Sequence, residues 1–175
     1  MEGLVFSDPA YSLLFQVYFF LVGLVVGSFL NVCIYRIPLK RSLISPASAC
    51  PACGVKIPWY YNIPLISYIL LAGKCGNCKV RISIVYPIVE LSTGLLFWVL
   101  YVQFGVSIPF LIYVIFGCMM ILLMWIDFYH RLLPWVITIP GIILGFLFSF
   151  INPFVTPRDS LIGFAIGGVD RKSVV

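Results

Sequence analysis

Residues 11–34, YSLLFQVYFFLVGLVVGSFLNVCI, contain no charged side chain. A helix rises about 1.5 Å per residue and needs roughly 20 apolar residues to cross about 30 Å of hydrocarbon. The stretch therefore predicts a membrane-spanning helix. Two more charge-free gaps follow, from Glu90 to Asp127 and from Arg131 to Arg158. Of the 175 residues, 62% are hydrophobic and 10% charged, with a mean hydropathy of +1.12. Soluble domains carry about 25% charged residues, so lipid is the main solvent of this chain.

Turn chemistry divides the gaps into spans. The breaks are Phe104-Gly105-Val106-Ser107-Ile108-Pro109 and Asn152-Pro153-Phe154-Val155-Thr156-Pro157. The spans then run from Tyr11 to Ile34, Ile82 to Gln103, Ile108 to Ile126 and Leu132 to Ile151, and a last segment starts near Ser160. The expected fold is an all-α integral membrane protein, a multi-pass helix bundle of four full spans plus a truncated fifth. Met1-Glu2-Gly3 lacks the basic region of a cleavable signal peptide, so the first span is expected to stay. Gly23-x3-Gly27, Gly141-x3-Gly145 and Gly163-x3-Gly167 are expected to let helices approach closely within the bundle.

Seven of the eleven Lys and Arg lie between Arg36 and Arg81. Positively charged loops stay in the cytoplasm. This places the N-terminus outside, the 36–81 loop inside and Asp127 at the cytoplasmic end of the third span. The net charge of +5 is accounted for by topology and by attraction to anionic lipid; no nucleic-acid partner is needed. Trp59, Tyr60, Tyr61, Phe128, Tyr129 and His130 fit an interfacial belt.

The loop reads CPACGVKIPWYYNIPLISYILLAGKCGNC over residues 50–78. Cys50-x2-Cys53 and Cys75-x2-Cys78, 21 residues apart, have the spacing of a structural tetrathiolate zinc site, each pair giving two sulfurs to one tetrahedral ion. Gly54 and Gly76 suit tight knuckle turns. Two disulfides are the competing reading, disfavoured on a side of the membrane where thiols stay reduced. Ile63 to Leu71 is apolar but short and carries Pro64, so it is expected to lie at the interface. Cys33 and Cys118, inside spans, read as small buried apolar residues. Glu90 is an acid within a span, and such groups are functional-site candidates; a structural hydrogen bond competes equally. Asn31 reads as interhelical glue.

Four stretches in order carry a resemblance: GSFLNVCIYRIP (27–38), the cysteine pairs flanking WYYNIPLISY (59–68), ISIVYPIVELSTG (82–94) and WIDFYHRLLPWVITIPG (125–141). Together they resemble the prepilin leader peptidase family, the membrane aspartic proteases of type IV pilus and type II secretion systems. The resemblance implies a bacterial inner-membrane enzyme that removes the leader of prepilins or pseudopilins on the cytoplasmic face. Asp127 would be one of two catalytic aspartates. Members with the four-cysteine loop typically also methylate the new N-terminus, using S-adenosylmethionine. One position departs: Trp135 follows Pro134 where the family usually has an acidic or amide residue. The implied organisation is a first span (1–35), a cytoplasmic four-cysteine loop (36–81), a partial peptidase domain (82–169) and a tail (170–175).

The family's second aspartate sits in a Gly-x-Gly-Asp-x-Lys motif. GGVDRK (167–172) is similar but has Val169 in place of the middle glycine. A helix leaving the outer surface near Asp159 would bring Asp170 only about 16 Å inward, short of the cytoplasmic end. Residues 170–175 also match the translation of a common sequencing adaptor. The chain is thus expected to lack the second aspartate and to end in a foreign tail. Two other classes remain open on the residues alone: a membrane thiol–disulfide redox protein and a non-enzymatic zinc-ribbon membrane protein.

Overall fold

The computed structural model describes residues 9–45, 48–151 and 156–170. Glu2, Asp8, the 152–155 part of the second predicted break and residues 171–175 of the predicted tail lie outside them. The described regular structure is helical, apart from two isolated β-bridges. The helices are α1 (Pro9–Arg36), α2 (Ile66–Leu70), α3 (Val85–Phe104), α4 (Ile108–His130), α5 (Trp135–Phe148) and α6 (Pro157–Asp170), with a 3-10 turn at Trp59–Asn62. They form two compact units, divided between Leu132 and Leu133.

In the first unit α1, α3 and α4 are each long and apolar enough to cross a membrane. Their outward residues are apolar, for example Leu14, Val25, Leu95 and Phe116. In lipid no hydrophobic force draws such helices together, so association rests on close packing and interhelical hydrogen bonds. The sequence meets that need where α1 crosses α3. A Cβ on Gly23 would lie 2.8 Å from the Gly94 Cα, and one on Gly27 would lie 2.7 Å from the Glu90 Cα. The backbones touch because no side chain separates them.

Two polar ties flank this contact. Asn31 on α1 donates its amide to the Tyr86 carbonyl on α3 at 3.0 Å, the interhelical role read from the sequence. Toward the other end, the Trp98 indole donates to Gln16 at 3.1 Å. An aromatic core around Phe97, Tyr101 and Phe110 lies near that end. Phe19 stacks on Tyr101 with centroids 4.6 Å apart and meets Phe110 edge-on at 5.1 Å. Cys33 is buried, and Cys118 packs against the aromatic core.

α3 and α4 form a tight hairpin. Gly105 closes α3 at φ +58, its N–H donating to the Tyr101 carbonyl at 2.8 Å. Ser107 caps α4 by accepting the Phe110 N–H at 3.3 Å, as a serine N-cap does. α4 runs to His130, one turn past the predicted end at Ile126. Arg131 then turns the chain in the left-handed region, and its N–H donates to the Asp127 carbonyl at 2.8 Å.

In the second unit α5 has 14 residues, a rise of about 21 Å. The predicted fourth span, Leu132 to Ile151, is therefore shortened to a helix below spanning length. Pro134 is the reason at its start: it is extended (ψ 124) and precedes the first helical residue. Pro140 lies inside the helix and removes one backbone donor. α6 starts at Pro157, three residues earlier than read, behind a capping box in which Asp159 accepts from the Thr156 N–H and hydroxyl at 3.0 and 2.7 Å. It continues to Asp170, so the helical path assumed between Asp159 and Asp170 is present.

The close-packing role expected for the other glycine pairs is not seen at Gly145 or Gly163, where an added Cβ would meet nothing within 4 Å. Gly27→Ala is expected to destabilise the protein in detergent by about 1–3 kcal/mol through overpacking. Gly145→Ala should be neutral or stabilising by up to about 1 kcal/mol. Thermal unfolding of the two variants checks the contrast.

Candidate functional site

The four cysteines of the loop are brought to one point. Their sulfurs all lie within 4.8 Å of one another, an arrangement that could hold a metal ion. Cys50 and Cys78, from different pairs, have sulfurs 3.8 Å apart. Four sulfurs at about 2.3 Å from a tetrahedral ion are about 3.8 Å from each other, so the cluster has the size of such a shell.

Two equivalent knuckles build it. In the first, the Cys50 N–H donates to the Val55 carbonyl at 3.0 Å and an Ala49–Lys56 bridge closes the turn; in the second, the Cys75 N–H donates to the Val80 carbonyl at 2.8 Å and Lys74 bridges Arg81. After the second cysteine each knuckle needs a positive φ, met by Gly54 (+69) and by Lys79 (+58). Gly54 thus fits the knuckle turn as its sequence position suggests, whereas Gly76 does not take a positive φ. Gly76 has a different reason to be small: a Cβ there would lie 2.9 Å from the Tyr61 ring.

The sulfurs are electrostatically unequal. Backbone N–H groups of Cys78 and Asn77 aim at the Cys75 sulfur and bring its thiol down to about 6. Cys53 is lowered by the Val55 N–H and the Asn77 side chain. The Val80 N–H favours a thiolate at Cys78, but desolvation and the neighbouring sulfurs outweigh it and push that thiol up to about 11.

Between the loop and the α1–α3 pair opens a cavity of about 1320 Å³, whose lining includes Asn31, Arg36, Arg41, Tyr61, Arg81 and Glu90. Glu90 is 7% exposed, and it makes a structural hydrogen bond of the kind the sequence offered as one of two readings. Its Oε2 accepts the Leu65 N–H of the loop at 2.9 Å, and the Ser28 side chain on α1 lies beside the same carboxyl. Leu65 has φ +59 and ψ −49, and the Ile66 N–H donates to the Pro64 carbonyl at 2.6 Å. This is the rare, strained form of γ-turn. Pro64 gave a turn signal, but nothing in the sequence marked a leucine as the positive-φ residue.

Asp127 stands apart from both cluster and cavity. It lies in the last turn of α4 and is exposed, and among the described residues no side-chain hydrogen bond or ion pair engages its carboxylate. Trp125, Phe128 and Tyr129 pack beside it on the helix, Trp125 stacking on Tyr129 at 6.0 Å. The Trp125 indole N–H is buried without a hydrogen-bond partner among the described residues. The side chain of Asp170 lies outside them.

Long apolar helices joined by a four-thiol module define a membrane helix protein with a candidate metal centre. Two family models match consecutive parts of it: the bacterial peptidase A24 N-terminal domain over residues 21–104 and the type IV leader peptidase family over residues 114–169. The prepilin leader peptidase/N-methyltransferase of Klebsiella pneumoniae is 35% identical over 170 residues, covering 94% of this chain and 75% of that protein. Proteins of the same description from Myxococcus xanthus and Neisseria gonorrhoeae are 43% and 38% identical, over 92% and 83% of this chain. The chain belongs to the type IV leader peptidase family. It spans 48% and 59% of the length of the latter two relatives. No solved structure matches it.

In chelator-treated protein at pH 7, Cys75, with its pKa of about 6, is mostly thiolate and Cys78 is thiol. Iodoacetamide should therefore label Cys75 well before Cys78; Cys75 labelling should slow as the pH falls below about 6, and the order should narrow only as the pH rises toward about 11. Peptide mass mapping over a pH series reads this order.

Proposed function

We propose that this chain carries the N-terminal module and the first catalytic aspartate of a membrane aspartic endopeptidase that cleaves the leader of type IV prepilins or pseudopilins. The observation that carries the reading is the two family matches in sequence order, with Asp127 inside the second. Asp127 acts as one member of a carboxylate pair. Two such groups close together cannot both ionise cheaply, so one keeps a proton while the other activates water. Asp127 lies in the last turn of α4 and is exposed, which suits a carboxylate that a substrate peptide and water must both reach.

Residues 36–81 face the cytoplasm, as their basic residues favour, and the N-terminus lies outside in the bacterial inner membrane. The leader is thus removed on the cytoplasmic face. Residues 82–169 supply the peptidase part. Cys50, Cys53, Cys75 and Cys78 hold a structural zinc ion; the donor set and the 3.8 Å sulfur spacing fit it. Zinc there supplies folding energy and no reacting position, since four thiolates fill its shell. Convergence of all four sulfurs favours this over a thiol–disulfide carrier, which needs two separate pairs. N-methylation with S-adenosylmethionine is the second activity, favoured by the relatives being prepilin leader peptidase/N-methyltransferases.

Two outcomes check these assignments. A chimera joining residues 1–168 to the remaining C-terminal part of a full-length relative should cleave a prepilin, and Asp127→Asn should lower that cleavage on the order of a thousandfold. Unchanged cleavage in the variant removes Asp127 from the chemistry. Elemental analysis should find one zinc per purified chain, and Cys50→Ser should abolish it; a metal-free chain with two disulfides would favour the redox reading.

A further inference from the structure

We propose that Glu90 is a positioning residue, the docking point that fixes the four-cysteine loop to the α1–α3 pair and so sets the shape of the cavity between them. The geometry is specific. Glu90 sits where α1 and α3 touch, its Cα 2.7 Å from where a Cβ on Gly27 would be. Its side chain leaves this contact and accepts the N–H of Leu65, in the middle of the segment between the two knuckles. The Leu65 turn is strained, and such backbone persists only when its surroundings hold it. Ser67 adds to the hold from the loop side, its hydroxyl donating to the Tyr60 carbonyl at 2.9 Å and its N–H to the Ile63 carbonyl at 3.1 Å.

A buried acid at this depth is costly, and an apolar residue would pack there at lower cost. The cost is met because the Leu65 N–H, bent outward by the turn, needs an acceptor. The role is that of a hydrogen-bond acceptor. It requires neither negative charge nor proton transfer, so a glutamine, whose amide oxygen accepts equally, fulfils it. An alanine does not. The strain also predicts that Leu65→Gly, free of the Cβ penalty at positive φ, lowers the demand on Glu90. The inference stands on unit-internal geometry and does not rest on the peptidase reading.

The test is hydrogen–deuterium exchange of the zinc-loaded chain in detergent or nanodiscs, with peptides covering 63–71 followed against those covering α1 and α3. Glu90→Ala should speed exchange at 63–68 about tenfold or more while zinc content and helix protection stay at wild-type level. Glu90→Gln should remain within about threefold of wild type. Leu65→Gly added to Glu90→Ala should restore part of the protection. Wild-type protection in Glu90→Ala overturns the proposal, as does a Glu90→Gln variant that opens like the alanine. If Glu90→Ala does not accumulate, Glu90→Gln decides alone: a closed loop supports the acceptor role and an open loop overturns it. Cleavage by the chimera can fail without altering any of these readings.

Discussion

Backbone contact between α1 and α3 at Gly23, Gly27 and Gly94 sets the spacing on which the loop side of the first unit is hung. At this spacing the Asn31 amide reaches the Tyr86 carbonyl, and Ser28 comes to lie beside Glu90. Glu90 in turn reaches Leu65. Add a methyl at Gly27 and the Asn31–Tyr86 bond, which crosses the same seam, must lengthen. In a solvent as apolar as the side chains themselves, fit and hydrogen bonds decide which helix faces which. The seam combines both within one face of α1, from Gly23 to Asn31.

The loop is organised by a second and different principle. Few of its residues are buried, so it lacks a core of its own. Two knuckles of matching hydrogen-bond pattern instead aim four sulfurs at a common centre. Their N–H groups give Cys75 and Cys53 thiolate character before any ion arrives. A thiolate-rich site binds a soft cation without first having to shed every proton. The bundle holds the loop at Leu65, midway between the knuckles, and the cluster gathers its two ends.

The spans of α1, α3 and α4 and the cysteine pairs were legible in the sequence, because charge-free length and CxxC spacing are strong one-dimensional signals. Other features depend on what lies across space. Lys79 rather than Gly76 takes the positive φ of the second knuckle, because the turn needs it directly after the second cysteine, while Tyr61 claims the volume beside Gly76. The bond that fixes Glu90 comes from a residue 25 positions away, and no periodicity encodes it. α5 falls short of the predicted span because Pro134 holds the chain extended where an apolar count alone would begin a helix. Asp127 stood out through resemblance alone: nothing in its own surroundings distinguishes its carboxylate from an ordinary helix-end acid.

The 3.8 Å approach of Cys50 to Cys78 also bears on how the bundle assembles. α3 and α4 are neighbours in sequence and can pair as a hairpin while entering the membrane. α1 must find α3 across the whole stretch from Arg36 to Val85. An ion joining the knuckles would replace most of that stretch by a short cut and roughly halve the chain that has to be closed. Each halving saves about 0.6 kcal/mol of closure entropy. Metal supply would then act on the timing of membrane assembly: a chain starved of zinc would insert its helices normally and be slower to bring α1 against α3.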